Sequence, residues 1–316
     1  MKVVVLDAGT LGDDISLSPL TEQFETTVYT QTATYQIEER VFGFDVIVTN
    51  KLKLNCETLG NSLPKLICVT ATGYDNIDLD FCRKNNIAVC NIVGYSTDSV
   101  AQLTAAMVLN LATHIPEYTE FVNSGSYTKS GSANRLSPAF YELNGKTWGI
   151  VGLGNIGKKV ATIAQSFGCK VIVNKRTPDP DYTCVDLDTI CRESDIISVH
   201  TPLNDSTRNL INEEKINMMK PTSLLINVAR GAVCDEEALT NAVLDKKIAG
   251  IGVDVYTKEP FDKNHPFNKL MGLPNVCLTP HMAWGAFEAR MRCITEIAEN
   301  ITAFTNGKLR NRVDLL

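Results

Sequence analysis

Residues 147–176, TWGIVGLGNIGKKVATIAQSFGCKVIVNKR, constrain the fold of this chain more than any other stretch. Residues 147–151 are a short run of β-formers and read as a buried strand. The pattern G-x-G-x-x-G follows as Gly152-Leu153-Gly154-Asn155-Ile156-Gly157. Apolar Ile156, Val160, Ile163, Ala164 and Phe167 then recur at three- and four-residue steps, the spacing of an amphipathic helix. Gly168 is a stop signal for that helix, and a second strand over 170–173 leads to Asn174-Lys175-Arg176.

Each glycine has a mechanical reason. Gly152 allows the tight strand-to-helix turn, Gly154 lets a pyrophosphate approach the backbone, and Gly157 lets helix and strand pack closely. The helix N-terminus then offers free N–H groups and a partial positive charge to phosphates. Alone the pattern is weak, because glycine also marks ordinary turns. Set between a strand and a helix, with a second strand at the right distance, it points to dinucleotide binding.

The acid that should hold the adenosine ribose is missing. An Asp or Glu is expected roughly 20 residues after the fingerprint, where it bonds the ribose 2′-hydroxyl. Lys175 and Arg176 stand there instead. Two cations suit a 2′-phosphate, although a solvated strand end would look the same. The pair favours NADP over NAD, with dual use open.

Composition narrows the partners. A chain of 316 residues, 44% hydrophobic, is long enough for two domains with real cores. A net charge of −6 argues against a nucleic-acid partner. No apolar run approaches the roughly 20 residues of a membrane-spanning helix, and an acid at Asp7 interrupts the N-terminal run too early for a signal peptide. The 10 cysteines are scattered, without a C-x-x-C pair or clustering with the four histidines. A metal site is not expected, and the cysteines read as small buried hydrophobes of a cytoplasmic protein.

Strands are expected over 2–7, 27–30, 45–49, 66–69 and 87–90, with a helix over 79–85. The 96–99 run Ser-Thr-Asp-Ser caps a long apolar helix over 100–113, taken as the crossing into a second domain. Residues 123–140, rich in Ser, Gly, Asn and Pro, read as a surface loop. Further strands are expected over 196–200, 224–228, 251–255 and 276–279, and a final helix over 288–306. Strand–helix alternation of this kind implies α/β architecture with parallel sheets covered on both faces. Ligands of such sheets bind at the carboxyl ends of strands, where Lys51 and Thr72-Gly73 fall. Ordinary turn chemistry explains those two loops equally well.

Three polar stretches lie just past strands of the second set: 226–231 with Arg230, 254–260 with Glu259, and 279–284 with His281. A guanidinium can bind a carboxylate in two-pronged fashion and polarise a neighbouring carbonyl. An imidazole can exchange the proton that accompanies hydride transfer, and a carboxylate beside it favours the charged form. Singly, these residues read as a surface cation, a loop acid and a turn cap. Together, in a dinucleotide-binding frame, they form a catalytic set. His200 reads as structural with a possible coenzyme contact, and His114 and His265 lack partners in the pattern.

With GLGNIG at Gly152, HTPLNDSTRNLIN from His200, INVARG up to Arg230, GVDVYTKEP ending at Pro260 and TPHMAW ending at Trp284, the chain resembles the D-isomer-specific 2-hydroxyacid dehydrogenases over essentially its whole length. The stretches LDAGTL, ATGYDNID and YSTDSVAQ are most similar to glycerate dehydrogenases, also called hydroxypyruvate reductases. The resemblance implies that Arg230 binds substrate, His281 is the acid/base and Glu259 its partner. It implies that Thr72 and Gly73 hold the substrate carboxylate with Lys51 nearby, and that Asn155, Ile156, Thr201, Pro202, Ala229 and Asp254 line the coenzyme. It also implies two doubly wound, Rossmann-like domains, the coenzyme domain (99–284) inserted into a flavodoxin-like substrate domain (1–98 and 285–316) and closing on it, in a homodimer. The expected partner is a small 2-keto or 2-hydroxy acid, hydroxypyruvate or glyoxylate. A non-catalytic NAD(P)-sensing regulatory protein of the same fold is the alternative, disfavoured by retention of all three catalytic positions. A formate dehydrogenase is a nearer one, though that group usually has Gln where Glu259 stands.

Overall fold

A computed structural model describes residues 1–316, which divide into two compact units. One comprises Met1–Ser96 and Trp284–Leu316, the other Thr97–Ala283. In the first, β1 (Lys2–Val5), β2 (Glu25–Val28), β3 (Val46–Thr49), β4 (Leu66–Val69) and β5 (Ala88–Cys90) run parallel in the order β2-β1-β3-β4-β5. This is the flavodoxin-like order. Alternation along the strands sends Val3, Val5, Val46 and Val48 to one face, where Ile294, Ile297 and Ile301 of the helix Phe287–Thr305 cover them. Val4, Ile47, Ile67 and Val89 face the other way, onto Ile37, Leu59 and Cys82.

The second unit holds β6 (Thr147–Val151), β7 (Lys170–Asn174), β8 (Thr183–Cys184), β9 (Ile196–Val199), β10 (Leu224–Asn227), β11 (Gly250–Val253) and β12 (Val276–Leu278). They run parallel in the order β12-β11-β10-β9-β6-β7-β8. Seen from β6 as first strand, this is the doubly wound dinucleotide-binding order with one strand added at its far edge. Ile197, Val199, Leu225 and Ile251 pack with Ile190, Ile216, Leu239 and Phe267 into one core. In the sheet interior the Trp148 indole N–H donates to Ser198 Oγ at 2.9 Å. The chain therefore has two α/β units, each with its own parallel sheet, as its alternation predicts. No helix is long and apolar enough to cross a membrane.

Two local expectations are corrected. The 123–140 stretch is not loop throughout, because Ser126–Ser130 forms a helical turn bracketed by Gly125 and Gly131, both left-handed. Five residues without an apolar stripe leave no period to read. The two-residue β8 goes unexpected for the same reason: it pairs with β7 only through Thr183 and Cys184.

The fingerprint glycines differ in what surrounds them. A Cβ at Gly157 would lie 2.2 Å from the Gly152 carbonyl oxygen, whereas one at Gly154 would meet nothing within 4 Å. Gly157→Ala is therefore expected to cost about 1–3 kcal/mol and to lower the calorimetric Tm visibly. Gly154→Ala, at a φ of −83° that alanine accepts, should stay within about 1 kcal/mol of the parent.

Candidate active site

The order of the second sheet reverses between β6 and β9, which opens a crevice at their carboxyl ends. Gly152 sits there with φ +94°, and a Cβ on it would lie 2.8–2.9 Å from the backbone of His200 and Thr201. Glycine is required by conformation and by space. Gly154 caps the helix Asn155–Ser166 without a side chain to bond the free N–H groups of the first turn, which includes Asn155 and Ile156. Open space above Gly154 together with unsatisfied helix donors is the cradle a pyrophosphate fits. Thr201 and Pro202 follow His200 beside this turn, and Ala229 sits past β10 with its N–H held by Asn227 Oδ1 at 3.1 Å.

At the end of β7, the Asn174 carbonyl accepts from Gly152 N–H at 2.9 Å, so Lys175 and Arg176 begin one residue from the fingerprint turn. The cations there have company. Lys175 Nζ lies 3.5 Å and Lys158 Nζ 2.9 Å from Asp179 Oδ2. Neither Lys158 nor Asp179 stands out in the sequence pattern.

Arg230, Glu259 and His281 follow β10, β11 and β12, three adjacent strands. Their loops interlock. A Cβ on Gly231 would lie 2.0 Å from the carbonyl carbon of Tyr256, so only glycine lets the Arg230 loop press against the loop that carries Glu259. Glu259 Oε1 accepts from Tyr256 N–H at 2.9 Å, and its Oε2 lies 2.6 Å from His281 Nδ1. A carboxylate can only accept, so Nδ1 carries the hydrogen. Both side chains keep part of their exposure, 23% for His281 and 30% for Glu259. His281 adopts φ +53°, a left-handed conformation of the kind that tertiary contacts must hold in place.

Asp254 holds it. Fully buried, its carboxylate accepts from Thr279 Oγ1 at 2.5 Å, Met282 N–H at 2.9 Å and Ala283 N–H at 2.8 Å. Burial pushes the Asp254 carboxyl up and these donors pull it back. The contacts fix the turn on which His281 sits, a role that spacing alone does not reveal.

In the first unit, Asp7 does the same for Lys51. Buried just past β1, Asp7 accepts from the N–H groups of Asn50 (2.9 Å) and Lys51 (2.8 Å), and burial raises its carboxyl against these donors. Asn76 Nδ2 donates to the Leu52 carbonyl at 2.8 Å, drawing the loop after β4, with Thr72 and Gly73, against the Lys51 loop. Thr72 Oγ1 is itself spent on the Ile92 carbonyl at 2.8 Å.

Each remaining histidine has a partner outside this trio. Burial drives the His200 imidazole down to about 3, and its Nε2 lies 2.9 Å from Ser198 Oγ. His114 and His265 do have partners, contrary to expectation: Glu117 at 2.9 Å and Glu236 at 3.0 Å. Glu236 precedes His265 by 29 positions, a distance no local pattern spans. The same Glu236 accepts from Thr257 N–H at 2.8 Å and so steadies the Glu259 loop.

Comparison with known proteins identifies the family. Residues 105–283 match the family model described as D-isomer specific 2-hydroxyacid dehydrogenase, NAD binding domain. A glyoxylate reductase of Thermococcus litoralis is 40% identical over 281 residues, 86% of this chain and 83% of that protein. A glycerate dehydrogenase of Methylorubrum extorquens is 35% identical over 316 residues, 99% of each. The crystal structure of a D-lactate dehydrogenase from Aquifex aeolicus, complexed with NAD and lactic acid, superposes with a TM-score of 0.87 at 30% identity over 99% of both chains. These relatives are enzymes, which favours catalysis over the regulatory alternative. The chain belongs to the D-isomer specific 2-hydroxyacid dehydrogenases, oxidoreductases that use NAD(P).

Proposed function

We propose that this chain reduces a small polar 2-keto acid to the corresponding 2-hydroxy acid, hydroxypyruvate to D-glycerate or glyoxylate to glycolate. The observation that carries the reading is the 2.6 Å contact between Glu259 and His281, on a loop pressed against the one that bears Arg230. Arg230 binds the substrate carboxylate and polarises the keto oxygen. The coenzyme, held by Gly152, Gly154, Gly157 and the first turn of the following helix, supplies the hydride when bound. His281 gives the proton from Nε2 to the oxygen, so that C=O becomes CH–OH, while Glu259 holds Nδ1–H and stabilises the ring. Asp254 positions this turn and thereby the imidazole.

Thr72 and Gly73 offer backbone N–H groups to an anionic substrate group, and the Lys51 ammonium suits a small polar side chain. Relatives named glyoxylate reductase and glycerate dehydrogenase support that substrate class. Units Met1–Ser96 with Trp284–Leu316 and Thr97–Ala283 serve as substrate and coenzyme domains. A homodimer is supported by apolar side chains left exposed between residues 115 and 141, among them Leu136 at 79% and Tyr141 at 71%. Ten free cysteines support a reducing compartment, the cytoplasm.

Lys175 and Arg176 read a 2′-phosphate, which makes NADPH the preferred coenzyme. Initial rates on hydroxypyruvate, glyoxylate, pyruvate and phenylpyruvate, each with NADH and NADPH, test the assignment; turnover with none of the acids would sink it. Replacing both cations with alanine should raise KM for NADPH about 10- to 100-fold and leave that for NADH nearly unchanged. His281→Ala should lower kcat by about 10²–10⁴-fold. Glu259→Gln should cost less, and adding it to His281→Ala should cost almost nothing further, because Glu259 acts through the imidazole.

A further inference from the structure

The acid missing from the end of β7 is replaced by one that the fold brings there from further along the chain. Asp179 Oδ2 lies 2.9 Å from Lys158 Nζ and 3.5 Å from Lys175 Nζ, and its Oδ1 accepts from Asp181 N–H at 3.3 Å. Its side chain is about 10% exposed, against 48% for Lys158 and 31% for Lys175. The carboxylate is therefore the inner member of the cluster and the ammonium groups its outer ones. Its backbone is pinned: Asp179 stands between Pro178 and Pro180, and its N–H reaches Cys184 Sγ at 3.3 Å on β8, which pairs with β7. Lys158, in the first turns of the coenzyme helix, also lies over the Tyr182 ring, 6.0 Å from its centroid. The Lys158 hydrogen bond holds the Asp179 carboxyl below its ordinary range, so it is ionised at neutral pH.

We infer that Asp179 determines coenzyme selectivity, acting as an internal anion that engages the two lysines a 2′-phosphate would otherwise recruit. A 2′-phosphate carries between one and two negative charges at neutral pH. To reach Lys175 and Lys158 it must approach, or displace, a carboxylate already bonded to both. NAD, with an uncharged 2′-hydroxyl, makes no such demand on the cluster. Asp179 thus works against Lys175 and Arg176, and the coenzyme preference is set by their competition. This inference rests on the reading that Lys175 and Arg176 face the adenosine 2′ position.

Dissociation constants for NADP⁺ and NAD⁺, measured by calorimetry on the intact chain, test it without reference to turnover. Asp179→Asn keeps the side-chain size and removes the charge. It should tighten NADP⁺ about tenfold relative to NAD⁺, and the gain should shrink at high salt, where such interactions are screened. Asp179→Ser is expected to act in the same direction, which guards against one variant that fails to fold; thermal unfolding reports on both. Asp181→Asn removes a neighbouring charge that acts on Lys158 without an ion pair to either lysine and should shift the ratio much less. An unchanged ratio in both Asp179 variants, or an equal shift in Asp181→Asn, would overturn the inference. Alanine at Lys175 and Arg176 separates the two ideas. Loss of NADP⁺ affinity there, with no effect at Asp179, leaves the phosphate reading standing and removes this one. No loss there removes both.

Discussion

The turn at Gly152 comes closer to the backbone of His200 and Thr201 than any side chain allows, and the organisation of the second unit depends on that approach. It locks the end of β6 to the end of β9, the two strands between which the sheet changes winding direction. The helix Asn155–Ser166 is aimed by the same turn, and Gly157 lets it settle on the Gly152 carbonyl. Because β6 to β12 all run parallel, their carboxyl edges open on the same side. That is where Arg230, Glu259 and His281 emerge.

Loops at a sheet edge are not rigid by themselves, and this protein stabilises them with buried carboxylates. Asp7, past β1, takes the N–H groups of the loop after β3; Asp254, past β11, takes those of the turn after β12. In each case an acid at one strand end holds the loop of a neighbouring strand. Burial alone would force such a group to protonate or pair, and the backbone donors that offset its desolvation are the ones that need ordering. The arrangement places Lys51 and His281 with the precision of the strands rather than of loops.

Most of the architecture and the coenzyme fingerprint could be read from the chain, because both rest on local rules. Strand–helix alternation, apolar periodicity and glycines at fixed offsets act within a few residues. The candidate trio could be picked out because Arg230, Glu259 and His281 each sit a few residues past an apolar run. His265 with Glu236, and Lys158 with Asp179, were not, since they pair across 29 and 21 positions. Such contacts follow from how strands are ordered in space, and no spacing rule encodes that.

By itself, then, the amino-acid sequence determined the α/β class, the two strand sets, the glycine-rich turn and the residue types available for chemistry. These follow from sterics and hydrophobic patterning over short distances. Tertiary structure alone decided which nitrogen of His281 is bonded, which turn Asp254 holds, and that the cations at the end of β7 already have an anion among them. Those depend on distances of 2.6–2.9 Å between groups 21 or more positions apart in sequence. Only packing the sheets brings such groups into contact, because hydrogen bonds and ion pairs act over ångströms in space whatever the separation along the chain.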